Sequence, residues 1–283
     1  MGRGPQGHGR SLPQTQLARR SRQRRSEANE RPMIGAVEIA GLSLPMVLLC
    51  TLLALIGSSI QGSLGFGLGM LTSPIFAMID HSFVPVAMMV AVLPLTFGVA
   101  IRDRKHIDTK GFTWAIVGRF PGVVIGLVAL RAMDGNALAY AVSASVMLAV
   151  VISVVTSRRG QVITTTPATM TTAGFASGFM GTVTSIGGPP MALVYSDGEP
   201  RTMRATIAAF FSIGATITVI GFVLSGEIGR HELALTAVIL PGVVGGLPMS
   251  ALLGNRLSPA VMRPLILVMC ALSATLLFLQ TAL

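Results

Sequence analysis

From about residue 41 onward the chain alternates long apolar stretches with short polar connectors. A bilayer crossing needs about 20 mostly apolar residues. Stretches of that kind centre on 43–79, 83–101, 112–131, 137–156, 167–197, 204–224, 233–252 and 262–281. The pattern predicts an all-α polytopic membrane protein with about eight transmembrane helices. The first and fifth stretches exceed one simple helix, and each carries a glycine cluster. Each is predicted to be a helix, a break and a shorter helix. Broken backbone at membrane depth is tolerated only where protein buries it or where it lines a wet cavity, so both clusters belong inside the bundle.

The chain also nearly repeats itself at a spacing of 120 residues. Pro121-Gly122-Val123-Val124-Ile125-Gly126-Leu127 reads again as Pro241-Gly242-Val243-Val244-Gly245-Gly246-Leu247. The same offset lays Gly65-Phe66-Gly67-Leu68-Gly69 over Ser185-Ile186-Gly187-Gly188-Pro189. Two tandem four-span repeats, 41–156 and 167–281, follow, each with a broken first helix. A duplicated apolar unit with a broken segment in each half points to a secondary transporter with its site between the halves.

Composition agrees. Hydrophobic residues make up 52% of the 283 and charged residues only 11%, with a mean hydropathy of +0.73, too little polar surface for a water-soluble domain. The net charge of +10 is unevenly placed, which argues against nucleic acid as its partner. Arg10, Arg19, Arg20, Arg22, Arg24, Arg25 and Arg31 crowd a basic tail, 1–32, that reads as disordered and as lying against anionic lipid. Arg102, Arg104, Lys105 and Lys110 follow the second stretch, and Arg158 and Arg159 the fourth. Basic connectors mark the cytoplasmic side, which with eight crossings places both termini in the cytoplasm and makes the halves parallel. A re-entrant broken segment would change that parity and invert them. Met33 is an alternative start codon, and the tail is not a cleavable signal, because the apolar stretch after it is too long. Cys50 and Cys270 fall within spans without metal-ligand spacing and read as small buried residues.

All eleven acids lie in the tail, the connectors or segment ends, so no carboxylate sits at mid-membrane to pair a cation. Two arginines behave differently. Arg119 lies inside the third stretch between Trp114 and Pro121, and Arg204 opens the sixth. Where a membrane helix breaks, the free N–H groups of the next half-helix and its dipole favour an anion. Gln61, Ser63, Gly65, Gly67 and Gly69, with Thr72 and Ser73, surround the first break. Thr182, Thr184, Ser185, Gly187, Gly188 and Pro189 surround the second, and proline suits the first position of a restarted helix. Two opposed half-helix N-termini, hydroxyls and Arg119 or Arg204 make a predicted site for a small oxyanion.

At these residues the chain resembles the sulfite exporter family of TauE/SafE type. The resemblance rests on the first glycine cluster followed by Pro74, on Ile186-Gly187-Gly188-Pro189-Pro190, and on the Arg204 helix, and it covers roughly 41–281. Leu68 interrupts what is often an unbroken glycine run. The resemblance implies a multi-spanning carrier in the cell membrane that exports sulfite, a sulfonate or a related small organic anion.

Two other classes compete. Gly174-Phe175-Ala176-Ser177-Gly178 has the look of an intramembrane protease serine, yet His8, His81, His106 and His231 sit in the tail or at span ends, so no base reaches Ser177. Gly118, Gly122 and Gly126, and Gly242 and Gly246, would serve a structural or assembly protein as helix-packing faces. The expected partners are a small anion, the lipid bilayer and a second copy of the chain. No cofactor and no enzymatic activity is expected.

Overall fold

The computed structural model describes residues 38–159, 164–195, 199–253 and 259–282. The basic tail lies outside them. Apart from two-residue extended pieces at Glu38–Ile39 and Leu42–Ser43, the regular structure among the described residues is helical. The helices are α1 (Leu44–Leu64), α2 (Leu68–Ile79), α3 (Val86–Ala91), α4 (Leu93–Arg102), α5 (Thr109–Arg131), α6 (Gly135–Arg159), α7 (Pro167–Thr184), α8 (Gly188–Val194), α9 (Pro200–Ser225), α10 (Arg230–Leu253) and α11 (Pro259–Ala282).

Six helical stretches among the described residues are long and apolar enough to cross a membrane: 44–64, 81–102, 109–131, 135–154, 200–225 and 230–252. Their outer faces suit lipid rather than water. Leu48, Leu52 and Ile56 on α1, and Val117, Phe120, Val124 and Val128 on α5, form exposed apolar stripes far too continuous for a water-soluble surface.

The first long apolar stretch is not one span with a kink. Helix α1 alone has 21 residues, about 31 Å at 1.5 Å per residue, which is already a full crossing. Its C-cap Gly65 takes the left-handed conformation (φ 93°), and Gly67 (φ 140°) reverses the chain so that it lies against Ile60. Leu68, the first residue of α2, comes back beside Gly57, two turns before the end of α1. The second cluster does the same. Ser185 closes α7 in the left-handed region (φ 61°), Gly187 returns beside Ser177, and the Ser177 hydroxyl donates to the Gly187 carbonyl. The reason for both reversals is local. Gly65 and Gly67 supply the positive φ at the first link and Ser185 at the second, and a small residue on the preceding helix admits the returning chain.

Two helix pairs hold the bundle together. Helix α1 runs parallel to α10: Thr51 donates to the Val238 carbonyl (2.8 Å), Ser58 to Gly242 (3.2 Å) and Ser63 to Ser250 (3.3 Å). Helix α5 runs parallel to α7 in the same manner. Gly118 lies on the Thr171 carbonyl and Gly122 on Phe175, so tightly that a β-carbon at either would overlap backbone. The glycine patterns of α5 and α10 are therefore packing faces, where backbones approach and dispersion replaces a hydrophobic driving force. Helix α9 packs against α4 and α5, and α11 against α6.

The two ends of the bundle are distinguished by their ionic contacts. At one end Arg204 Nε donates to Asp103 (2.7 Å), while Arg102 reaches the Gly62 carbonyl (3.0 Å) and Ser250 (3.2 Å). At the other, His231 pairs with Asp80 (2.7 Å), His81 lies beside Gly135, and Tyr140 donates to the Thr281 carbonyl (3.2 Å).

Candidate functional site

The two reversed links meet. Phe66 packs on Gly188, Gly69 lies on the Ser185 carbonyl, and Ser73 donates to the Thr184 carbonyl (3.1 Å). The Ser185 hydroxyl donates to the Pro85 carbonyl (3.2 Å), which fixes the second link against the turn before α3. Between the links lies a cavity with about 40 Å³ of room for the centres of water molecules. A water needs about 10–15 Å³ on that measure, so the space suits about three waters or one small oxyanion.

Of the residues expected from sequence, Gln61, Gly67, Gly69, Arg119, Ser185, Gly187 and Gly188 line this cavity together. The Gln61 side-chain oxygen accepts the Leu68 N–H (3.1 Å), so it caps α2 and leaves its NH₂ group as a donor. The N–H groups of Gly69 and Met70, in the first turn of α2, have no acceptor within the helix. The short helix α8 has 7 residues, so its dipole is small and the greater share of any helix-end effect falls to α2.

The rest of the expected set lies elsewhere. Ser63 is turned to α10 and Thr182 to Thr218 (3.2 Å). Thr184 donates back to Met180 within α7 (2.8 Å), Thr72 donates to Leu68 (2.7 Å), and Pro189 supports the first turn of α8. Gly65 packs against the backbone of Arg204. Arg204 itself is held by Asp103, away from the cavity lining. Burial alone would raise the Asp103 carboxyl, but hydrogen bonds and charge from Arg204 and Arg102 outweigh it and hold its pKa below the ordinary 3.8.

Arg119 dominates the site. It is the largest fully buried side chain described, at 0% exposure, and Nε, Nη1 and Nη2 have no hydrogen-bond partner. Its guanidinium sits over the Phe210 ring at 4.5 Å and near Phe211 at 5.5 Å. Such cation–π contact offsets part of the cost of burying the charge. The slot that admits the side chain is made by glycines: Gly178 on α7 faces its stem, and a β-carbon at Gly214 on α9 would land on the guanidinium. Sequence reading missed Phe210, Phe211 and Gly214. Their signal was only an aromatic pair and a glycine in an apolar helix, which specify nothing until α9 is laid against α5. An unpaired buried cation costs several kcal/mol, which makes Arg119 a functional candidate.

The family model described as sulfite exporter TauE/SafE matches residues 50–277. The "Probable sulfite/organosulfonate exporter TauE" of Cupriavidus necator is 25% identical over 236 residues, covering 78% of this chain and 87% of that protein. No solved structure matches.

Proposed function

The chain belongs to the sulfite exporter TauE/SafE family of membrane transporters, and we propose that it carries a small oxyanion, such as sulfite or a sulfonate, outward through the cavity between its two reversed links. One observation carries this reading: a fully buried guanidinium with three unpaired nitrogens faces a cavity of oxyanion size. Gln61 and the first turn of α2 supply further donors in the same lining. The competing structural role would leave Arg119 as an uncompensated cost.

We propose further that the transporter consists of two repeats of inverted orientation. The pairs α1–α10 and α5–α7 support this, because the 120-residue offset converts one into the other. In each half the reversed pair (α1–α2, α7–α8) brings the chain back toward the end it came from. The helices α3–α4, α5 and α6, or α9, α10 and α11, then cross one after another. An odd count inverts the second half. With the basic 102–110 connector in the cytoplasm, Leu44 and Ala282 fall on the outer side, opposite to the placement expected from eight simple crossings.

The test is flux of labelled sulfite and methanesulfonate in proteoliposomes. Arg119→Gln is expected to weaken binding by about 1.5–3 kcal/mol, or about 10–150-fold, and Arg119→Lys to recover only part of it. Unaltered affinity in Arg119→Gln would remove this cavity as the site.

A further inference from the structure

The charge inventory of the cavity fixes more than the sign of its ligand. Among its lining residues Arg119 is the only one that ionises. Gln61 and Ser185 are neutral, and Leu68, Met88, Met89, Val92, Ile186 and Ala215 are apolar. The elements packed around Arg119 present Gly178 and Gly181 from α7, and Phe210, Phe211 and Gly214 from α9, none of which titrates. The described histidines, His81, His106 and His231, all lie outside the lining. One buried cation is therefore neutralised by one negative charge. A second charge on the ligand would stand in the same low-polarity space with no counter-ion, and the penalty for burying an unpaired charge is large.

Resting on the reading of this cavity as the anion site, we propose that it selects oxyanions by valence, accepting singly charged and rejecting doubly charged species. The Phe210 face over the guanidinium leaves its N–H edge to grip two oxygens of a sulfonate or carboxylate, and the apolar wall takes a substituent of one or two carbons. Sulfate and hydrogenphosphate are excluded by charge. Sulfite, whose second proton ionises near neutral pH, is bound as hydrogensulfite.

Binding to the purified full-length protein, measured by calorimetry across neutral pH with sulfite and with methanesulfonate, tests this directly. Methanesulfonate is singly charged throughout, so its affinity reports any effect of the protein's own titration. Apparent sulfite affinity, relative to methanesulfonate, is expected to fall about tenfold per pH unit above its second ionisation, as the competent species is depleted. Sulfate is expected to compete at least about tenfold more weakly than methanesulfonate. A pH-independent ratio of the two affinities, or sulfate competing on equal terms, overturns valence selection. If Arg119→Gln then still weakens both anions, only that inference fails and the cavity remains the site. If neither anion binds the wild type, or both bind Arg119→Gln unchanged, the site assignment itself falls and valence selection with it. Should Arg119→Gln not fold, the wild-type pH comparison still decides the valence question.

Discussion

At the scale of single residues, the site is a contest between one arginine and the glycines that make room for it. Arg119 was legible in the sequence, because a cation among apolar neighbours at membrane depth has no inexpensive structural role. Gly214 was not. Its need arises from a side chain on another helix, and nothing in the local pattern of α9 marks it. Gly214→Ala places a methyl group on the guanidinium, which must move away from Phe210 to accommodate it. Anion affinity is expected to drop about tenfold or more, measured by calorimetry, while insertion into the membrane is retained. Affinity equal to wild type would mean that the guanidinium position is not what binds. Arg204 teaches the converse. It stands at the start of its apolar stretch rather than inside it, and Asp103 lies within its reach and satisfies its charge. That pairing has a pH signature. A carboxyl with its folded pKa below 3.8 contributes stability in full above that value and loses it as pH falls through the lower one. Thermal unfolding in detergent is therefore expected to weaken in acid. Asp103→Asn should lower the neutral-pH plateau by about 1 kcal/mol and flatten part of the acid slope.

At the scale of elements, the places where helices break were legible and the direction taken after the break was not. Gly65, Gly67, Ser185 and Gly187 sit at the reversals because glycine and proline interrupt a helix wherever they cluster. Whether the chain then continues or doubles back depends on the small residue it returns to, Gly57 in one case and Ser177 in the other, and that is a tertiary match. Gly67→Leu forces a side chain into a φ of 140° and against Ile60. It is expected to abolish flux in proteoliposomes with insertion largely intact. Wild-type flux in that variant would reduce the first link to a packing device. The glycine faces of α5 and α10 were legible as close-approach surfaces, but their partners, α7 and α1, could not be read from either helix alone.

At the scale of the whole molecule, hydropathy gave the class, and the parity of crossings depended on two hairpins that hydropathy counts as spans. Reporter fusions separate the arrangements. A reporter after Arg104 and one after Arg159 are expected on the cytoplasmic side, one at Gly135 on the outer side, and one after Leu283 on the outer side as well. A cytoplasmic signal at Leu283 would restore the parallel arrangement.

The pairing of α1 with α10 also sets the order in which the protein can be completed. The carbonyls that receive the hydroxyls of Thr51 and Ser63 belong to residues 187 positions later in the chain. At about 5–20 residues per second, a ribosome needs roughly 10–40 s to make that much chain. Through this interval the face of α1 that carries Thr51 and Ser63 lacks its α10 partner, and it still lacks it once the first half has been made. A chain halted before α10 is expected to be cleared rather than to accumulate, as pulse-chase labelling of the truncated chain would show.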